Sequence, residues 1–314
     1  MIFYTYFDIN YLCRGIAMYQ SLLRFEQEFE LYVLCLDNET YRVINEKAYP
    51  NLIPVQLTTL EQHDPALKSV KPSRTKVEYY FSCTAAFSVY LFENYPDLDF
   101  ITYLDADTYF FDSPKAIVEK LQTYSIAITP HRFPKHKVES ARYGIYNVGW
   151  VSFKRDTHGL ACLKAWREDC LAWCFNRLEG EKFGDQKYLD KWPGQYDNLH
   201  VIEHQGVNAA PWNLEGAQVH LIEGQLYIND DPLILYHFHN FHRILGSLYQ
   251  FGLREYAVEI NGLIKTAMYQ PYAEALRAIA KALAADNAGF PHRGMKRRAL
   301  SRHALLQIKD MVIL

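Results

Sequence analysis

The stretch YLDADTYFF, residues 103–111, decides how the rest of the chain is read. It closes an apolar run, Phe100-Ile101-Thr102-Tyr103-Leu104, with two carboxylates, Asp105 and Asp107, one residue apart. The run reads as a buried strand, and in open α/β sheets ligands gather at the carboxyl ends of strands. Two like charges this close repel, and burying them is costly without a cation. Hard oxygen ligands suit Mg²⁺ or Mn²⁺, ions that bridge carboxylates to substrate phosphates. The competing reading is an Asp-rich turn.

Upstream, the sequence supplies the sheet. Ile2–Phe7, Leu31–Leu36 and Leu52–Leu57 read as strands, with a helical period over Gly15–Phe29 between the first two. Strand–helix–strand–helix–strand predicts a parallel sheet flanked by helices. Residues 60–75, with Asp64-Pro65 and Lys71-Pro72-Ser73, read as loop, and Val77–Asn94 as a long helix ended by Pro96. Downstream, Ser113-Pro114 starts a helix through Leu121, Ile126–Thr129 is a strand, and residues 131–145 form a polar loop, basic at its start. Tyr146–Phe153 reads as a strand and Gly159–Leu178 as a helix. Ile222–Leu226 and Leu233–Phe238 read as strands, and from Leu245 the pattern turns helical, ending with Ala273–Ala285.

The chain has 314 residues, 49% hydrophobic and 22% charged, ordinary globular composition with length for a sizeable core. A formal charge of -3 argues against a nucleic-acid partner. The six cysteines contain no C-x-x-C; Cys162, Cys170 and Cys174 share one predicted helix face and read as small buried hydrophobes. The first residues lack the pattern of a signal peptide, and no apolar run approaches the ~20 residues of a membrane span, so a cytoplasmic protein is expected. Residues 291–314 carry six Lys or Arg and one acid among spaced apolar residues. They fit either a basic amphipathic helix on an anionic membrane, a peripheral contact at the inner face, or a docked tail.

A second cluster completes the pattern. Leu233-Ile234-Leu235-Tyr236 runs into His237-Phe238-His239-Asn240-Phe241-His242. An imidazole at another strand end favours Mn²⁺, which accepts nitrogen more readily than Mg²⁺. Ordinary loop histidines are the alternative.

With these motifs in this order, the sequence resembles the GT-A-fold nucleotide-sugar glycosyltransferases, most closely the retaining family of glycogenin and bacterial lipopolysaccharide galactosyltransferases. The resemblance covers roughly residues 1–245. It implies a GT-A, Rossmann-like, mostly parallel sheet flanked by helices. A catalytic domain over 1–245 would precede a helical extension over 246–314 with a basic amphipathic tail.

The resemblance also implies roles. In Tyr4-Thr5-Tyr6-Phe7-Asp8-Ile9-Asn10-Tyr11, Asp8 would meet a uracil N–H, Asn10 polar atoms nearby, and Tyr11 would stack on the base; a helix N-cap is the other reading of Asp8 or Asn10. Lys76, with Arg74 as alternate, would contact the donor's phosphate or sugar region. Asp105 and Asp107 match the family's D-x-D, and His237 its late metal ligand. Asn147 in Tyr146-Asn147-Val148-Gly149-Trp150 would face the donor sugar, and Gly149 would admit a close backbone approach. Asp185 would bond sugar hydroxyls and Gln186 would sit near the anomeric carbon, although Asp185 also fits a helix N-cap. Asn240 replaces the family's usual Gly, its Lys-Pro-Trp is missing, and Arg243 stands where its Lys would neutralise the diphosphate.

The implied reaction moves a hexosyl group from a nucleotide-diphosphate sugar, UDP-galactose or UDP-glucose, to a hydroxyl of a glycan or lipid-linked glycan, with Mn²⁺ or Mg²⁺ and with retention. The alternatives are an inverting GT-A transferase and a catalytically inactive nucleotide-sugar- or carbohydrate-binding protein. Trp150, Trp192 and Trp212 are either aromatic platforms for an acceptor or core residues.

Overall fold

The computed structural model describes residues 1–245, 248–286 and 311–313. By backbone contacts the chain divides into two units, each assembled from separated segments. The first is Met1–Phe7, Glu28–Asp105 and Lys115–Glu203; the second is Asp8–Gln27, Ala106–Pro114 and the described part of His204–Leu314.

In chain order the elements begin with β1 (Ile2–Phe7), α1 (Leu12–Leu23), β2 (Glu30–Cys35), α2 (Asn38–Lys47) and β3 (Leu52–Gln56). Helices α3 (Leu57–His63), α4 (Pro65–Val70) and α5 (Lys76–Asn94) follow, then β4 (Phe100–Leu104), β5 (Thr108–Phe110), α6 (Lys115–Leu121) and β6 (Ile126–Pro130). Next come β7 (Tyr146–Lys154), α7 (Thr157–Ala172), β8 (Leu199–Val201), β9 (Val219–Ile222), β10 (Gln225–Ile228), β11 (Asp231–Pro232) and β12 (Leu235–His237). The chain closes with β13 (His242–Leu245), β14 (Leu248–Gln250), α8 (Gln270–Asp286) and β15 (Met311–Ile313).

The first unit is a seven-stranded sheet in the order β3-β2-β1-β4-β7-β6-β8. Strands β3, β2, β1 and β4 run parallel, as the strand–helix alternation requires; β7 is antiparallel to both neighbours, and β8 is parallel to β6. Register slips between Ile128 and Thr129, whose partners on β7 are Val151 and Asn147, so β7 carries three extra residues there, with Gly149 the middle one. Helices α5 and α7 pack together against the sheet, with Phe87, Leu91, Cys162 and Trp166 in the core.

The sequence-expected loop over 60–75 is instead helical. Asp64 accepts from the Leu67 amide at 3.0 Å and Pro65 takes the first helical position, so a dipeptide that reads as a turn starts α4. Helix α7 stops at Ala172, short of the expected Leu178, and Cys174 lies beyond it. Tyr188 donates to the Trp173 carbonyl at 2.6 Å and reaches that of Asp169 at 3.1 Å, a helix stop supplied from outside the local sequence. All six cysteines are nonetheless buried and free.

The second unit holds α1, the pair β5–β12, the sheet β11-β10-β9, the sheet β13-β14-β15 and α8. The strand expected over Ile222–Leu226 is two strands, β9 and β10, turned at Glu223 and Gly224, both with positive φ (50° and 87°). The helical pattern expected from Leu245 starts later: His242–Leu245 and Leu248–Gln250 pair antiparallel as β13 and β14, and a π-helical turn at Ile264–Tyr269 leads into α8. Aromatic rings fill this unit. Tyr272 stacks on Phe238 at 3.9 Å, Phe251 on Tyr269 at 4.1 Å, and Phe241 on Tyr249 at 5.2 Å. In the tail, 291–310 and 314 lie outside the described residues, so the amphipathic-helix expectation falls there; 311–313 pair with β14. Among the described residues no helix is long and apolar enough to cross a membrane.

Candidate metal centre and the group around Asp185

Asp107 and His237 are brought together by the β5–β12 ladder. Thr108 lies opposite His237, and the Phe238 amide donates to the Asp107 carbonyl at 2.9 Å. The side chains follow: His237 Nε2 is 3.1 Å from Asp107 Oδ1. Asp105 stands two residues earlier, so chain connectivity keeps it near; one ligand atom from each of Asp105, Asp107 and His237 lies within 4.8 Å of the others. Two carboxylates and an imidazole form a donor set suited to Mn²⁺ or Mg²⁺. Burial alone would raise the Asp107 carboxyl, but the neighbouring His237, through charge and hydrogen bond, and the Arg14 charge hold it well below the usual carboxylate range. It therefore stands ionised, as a ligand must.

The surroundings of these ligands are built, not incidental. Trp212 meets His237 and His239 edge-on at 5.1 and 5.3 Å. The His237 amide donates to Ala209 at 2.7 Å. Asn240, where the resemblance expects Gly, has φ 58°, a left-handed conformation that Asn tolerates better than other side chains. Gly252, at φ 73°, passes so close that a Cβ would meet Asn240 Cβ at 2.8 Å and the His239 carbonyl at 2.9 Å. Burial and the His237 charge together push the His239 imidazole down to about 4, so it is neutral at pH 7.

The same unit carries Asp8, Asn10 and Tyr11. Asn10 donates to both carboxylate oxygens of Asp8, each at 3.0 Å, one bond from its amide and one from Nδ2. Helix α1 takes Tyr11 as its N-cap without a side-chain cap bond, so neither Asp8 nor Asn10 is spent on capping. The Tyr11 ring is 36% exposed, with the Arg14 guanidinium 4.6 Å from its centroid. Arg243 sits on β13 opposite Tyr249.

The first unit brings Asn147, Asp185 and Gln186 together with their supports. Asn147 Nδ2 donates to Gln186 Oε1 at 3.1 Å, while Asn147 Oδ1 accepts from the Gly149 amide at 2.8 Å. Gln186 Nε2 donates to the Tyr143 carbonyl at 3.1 Å. Asp185 does not cap the following 3₁₀ turn; its carboxylate accepts from Thr84 at 2.8 Å, and Trp166 Nε1 donates to its carbonyl at 2.8 Å. Burial pushes the Asp185 carboxyl up to about 7; the Thr84 hydrogen bond lowers it and the Asp105 charge raises it. The Tyr103 hydroxyl donates to Asp105 Oδ1 at 2.8 Å.

Lys76 and Arg74 part company. Lys76 opens α5 behind a Thr75–Glu78 capping box, with its ammonium 5.4 Å from the Tyr80 ring centroid. Arg74 is committed to scaffolding: it donates to Ser82 and to the Leu171 carbonyl, the latter at 2.7 Å. The tryptophans are core: Trp150, Trp192 and Trp212 are each at most 4% exposed, which rules them out as open platforms. Sequence reasoning missed Arg14, Thr84, Tyr103 and Tyr272. Of these only Arg14 left a signal, as a charge among the apolar and small positions of α1.

The seven-stranded sheet with helices on its faces and the D-x-D at the β4 end define the GT-A fold. Solved structures agree. The galactosyltransferase LgtC in complex with donor and acceptor sugar analogs is 14% identical, covering 88% of this chain and 96% of that one at a TM-score of 0.52. The glycosyltransferase GlyE of Streptococcus pneumoniae TIGR4 is 13% identical at a TM-score of 0.50, over 96% of this chain and 65% of that one. An active-site glutamine-to-glutamate mutant of LgtC matches at a TM-score of 0.50 and 12% identity, over 77% of this chain and 89% of that one. No family model matches the sequence. Among sequence relatives, the uncharacterized proteins YfnD and YfnF of Bacillus subtilis (strain 168) are each 32% identical. YfnD aligns over 274 residues, 86% of either chain, and YfnF over 235, 72% of this chain and 77% of its own. The chain belongs to the family of YfnD and YfnF.

Proposed function

We propose that this protein is a metal-dependent glycosyltransferase that moves a hexosyl group from a nucleoside diphosphate sugar to a hydroxyl of a glycan acceptor. The observation that carries the reading is the Asp105–Asp107–His237 group, its ligand atoms within 4.8 Å, at the D-x-D of a GT-A fold. A divalent ion held there would offset the charge that builds on the departing diphosphate. Asp8, Asn10 and Tyr11 bind the base, which their hydrogen-bonding edge and exposed ring fit to uracil. Lys76 and Arg243 supply cations toward the phosphates. Catalytic residence falls to 1–245, with 246–314 as its extension.

Asn147, Asp185 and Gln186 face the sugar. The bond from the anomeric carbon to the phosphate oxygen breaks with its electron pair on the diphosphate, and the acceptor oxygen bonds to that carbon on the same face. The acceptor proton passes to the departing phosphate oxygen. The Asp185 carboxylate is buried and already accepts from Thr84, so it is committed to a supporting contact, and the proposed route is same-face attack rather than a covalent intermediate on Asp185. A solved LgtC structure carries a glutamine-to-glutamate change at its active site, and Gln186 is proposed as the corresponding group here. An acceptor carried on a lipid, met at the inner membrane face through 291–314, extends the reading.

The test is release of UDP from UDP-glucose and UDP-galactose with Mn²⁺, with and without acceptor glycans. Turnover with one donor, lost at least about a hundredfold in Asp107→Ala and restored by no other cation class, is expected. A folded wild-type protein that binds neither Mn²⁺ nor any nucleotide sugar would sink the proposal.

A further inference from the structure

Helix α1 presents one charged side chain to the interior. Its positions 12 to 19 are all buried, and among Leu12, Cys13, Gly15, Ile16, Ala17, Met18 and Tyr19 only Arg14 carries a charge. The residue is 4% exposed. A guanidinium is expensive to bury unless its geometry repays the cost. Its two ends are spent on different partners. Nη2 donates to the Phe241 carbonyl at 2.7 Å, and Nη1 lies 3.5 Å from Asp107 Oδ2. The other oxygen of that carboxylate, Oδ1, is the one beside His237 Nε2.

We infer that Arg14 is a positioning residue for the cation site: its fork ties Asp107 to the backbone after His237 and so fixes which carboxylate oxygen is offered to the metal. The inference rests on the metal reading above. It answers a conflict in the electrostatics, since a positive charge next to a ligand opposes the incoming cation and lowers affinity if charge is all it contributes. Aim is what outweighs that loss. An unrestrained Asp side chain rotates about χ1 and χ2, and ordering it at the moment of binding costs free energy; a carboxylate whose Oδ2 is already paired with Arg14 has less left to lose. Lysine cannot substitute, because an ammonium is a point charge without the rigid fork that spans Phe241 and Asp107 together. The Tyr11 ring packed on the same guanidinium places the exposed aromatic and the metal ligand on one support.

The experiment is a Mn²⁺ titration of the full chain, reading the free aquo ion by electron paramagnetic resonance. It uses wild type, Arg14→Lys, Arg14→Gln and Asp107→Asn, with melting temperature as the folding control. Both Arg14 variants should bind Mn²⁺ about tenfold more weakly, and Asp107→Asn should lose binding. The sign in Arg14→Gln is decisive: removing a mere charge would tighten binding, and removing aim loosens it. Affinity equal to or above wild type in Arg14→Gln overturns the inference while leaving the metal site intact. If Arg14→Gln does not fold, Arg14→Lys decides, since unchanged affinity there shows that charge suffices. Wild type without Mn²⁺ binding, or Asp107→Asn binding as wild type, would instead overturn the metal reading itself.

Discussion

At the scale of single residues, the group with the clearest solution signature is Asp185. Its carboxyl is raised from 3.8 to about 7, so the folded protein keeps a proton that the unfolded chain releases above about pH 4. The stability this contributes is complete below that pH and is lost as pH rises through about 7, a swing of a few kcal/mol. Melting temperatures of wild type and Asp185→Asn between pH 5 and pH 8 check it: the difference between the two proteins should grow in favour of the variant as pH rises. Thr84→Val removes the hydroxyl that donates to this carboxylate and should move the transition to higher pH, read by the same melts. His237→Ala should abolish Mn²⁺ binding with little loss of secondary structure, because the β5–β12 ladder that presents the imidazole is held by backbone bonds.

At the scale of elements, the substitution with the largest expected cost is Asp64→Ala. The side chain caps α4 and also takes two bonds from Arg167, at 2.5 and 2.7 Å, while 5% exposed. Losing a cap and leaving a half-buried guanidinium unmatched should cost about 2–4 kcal/mol in urea unfolding. Gly159→Ala should also destabilise, since a Cβ there would come within 2.1 Å of the Lys154 carbonyl and push α7 off β7. These elements show which parts of the fold the sequence exposes. Strands β1, β2, β4 and β7 are legible as short apolar runs, and α5 as a long helical period ended by Tyr95-Pro96. What failed was punctuation: Asp64-Pro65 reads equally as a turn or as a cap with Pro at N1, and Glu223-Gly224 turns a hairpin within what looks like one strand. The end of α7 was illegible because its stop comes from Tyr188, and strands β13 and β14 were hidden by the helical pattern read from Leu245 on. The site was legible where chemistry is local, as in Asp105-Ala106-Asp107 or Asp185-Gln186. It was illegible where a partner lies far along the chain, as Arg14 does from Asp107 and Phe241.

At the scale of the whole molecule, α8 and the candidate ligand His237 depend on each other. Tyr272 of α8 stacks on Phe238, the residue after His237, and packs edge-on against Tyr109 of β5 at 5.5 Å. A fragment ending at residue 245 should therefore lose Mn²⁺ binding and expose apolar surface, read by dye binding and by calorimetric titration. Tyr272→Ala in the full chain should cost about 3–5 kcal/mol and weaken Mn²⁺ more than a surface substitution on the same helix.

The interleaving of the two units bears on how the chain is made. The first unit is complete once Glu203 has been synthesised, but the second recruits Asp8–Gln27 from the very start and α8 from near the finish. Helix α1, with Leu12, Ile16 and Leu22 on its buried side, leaves the ribosome roughly 250 residues ahead of the helix it packs against. At ordinary elongation rates that is a wait of about ten seconds or more with an oily surface uncovered, the interval in which a nascent chain needs a holding chaperone and is easiest to lose to aggregation.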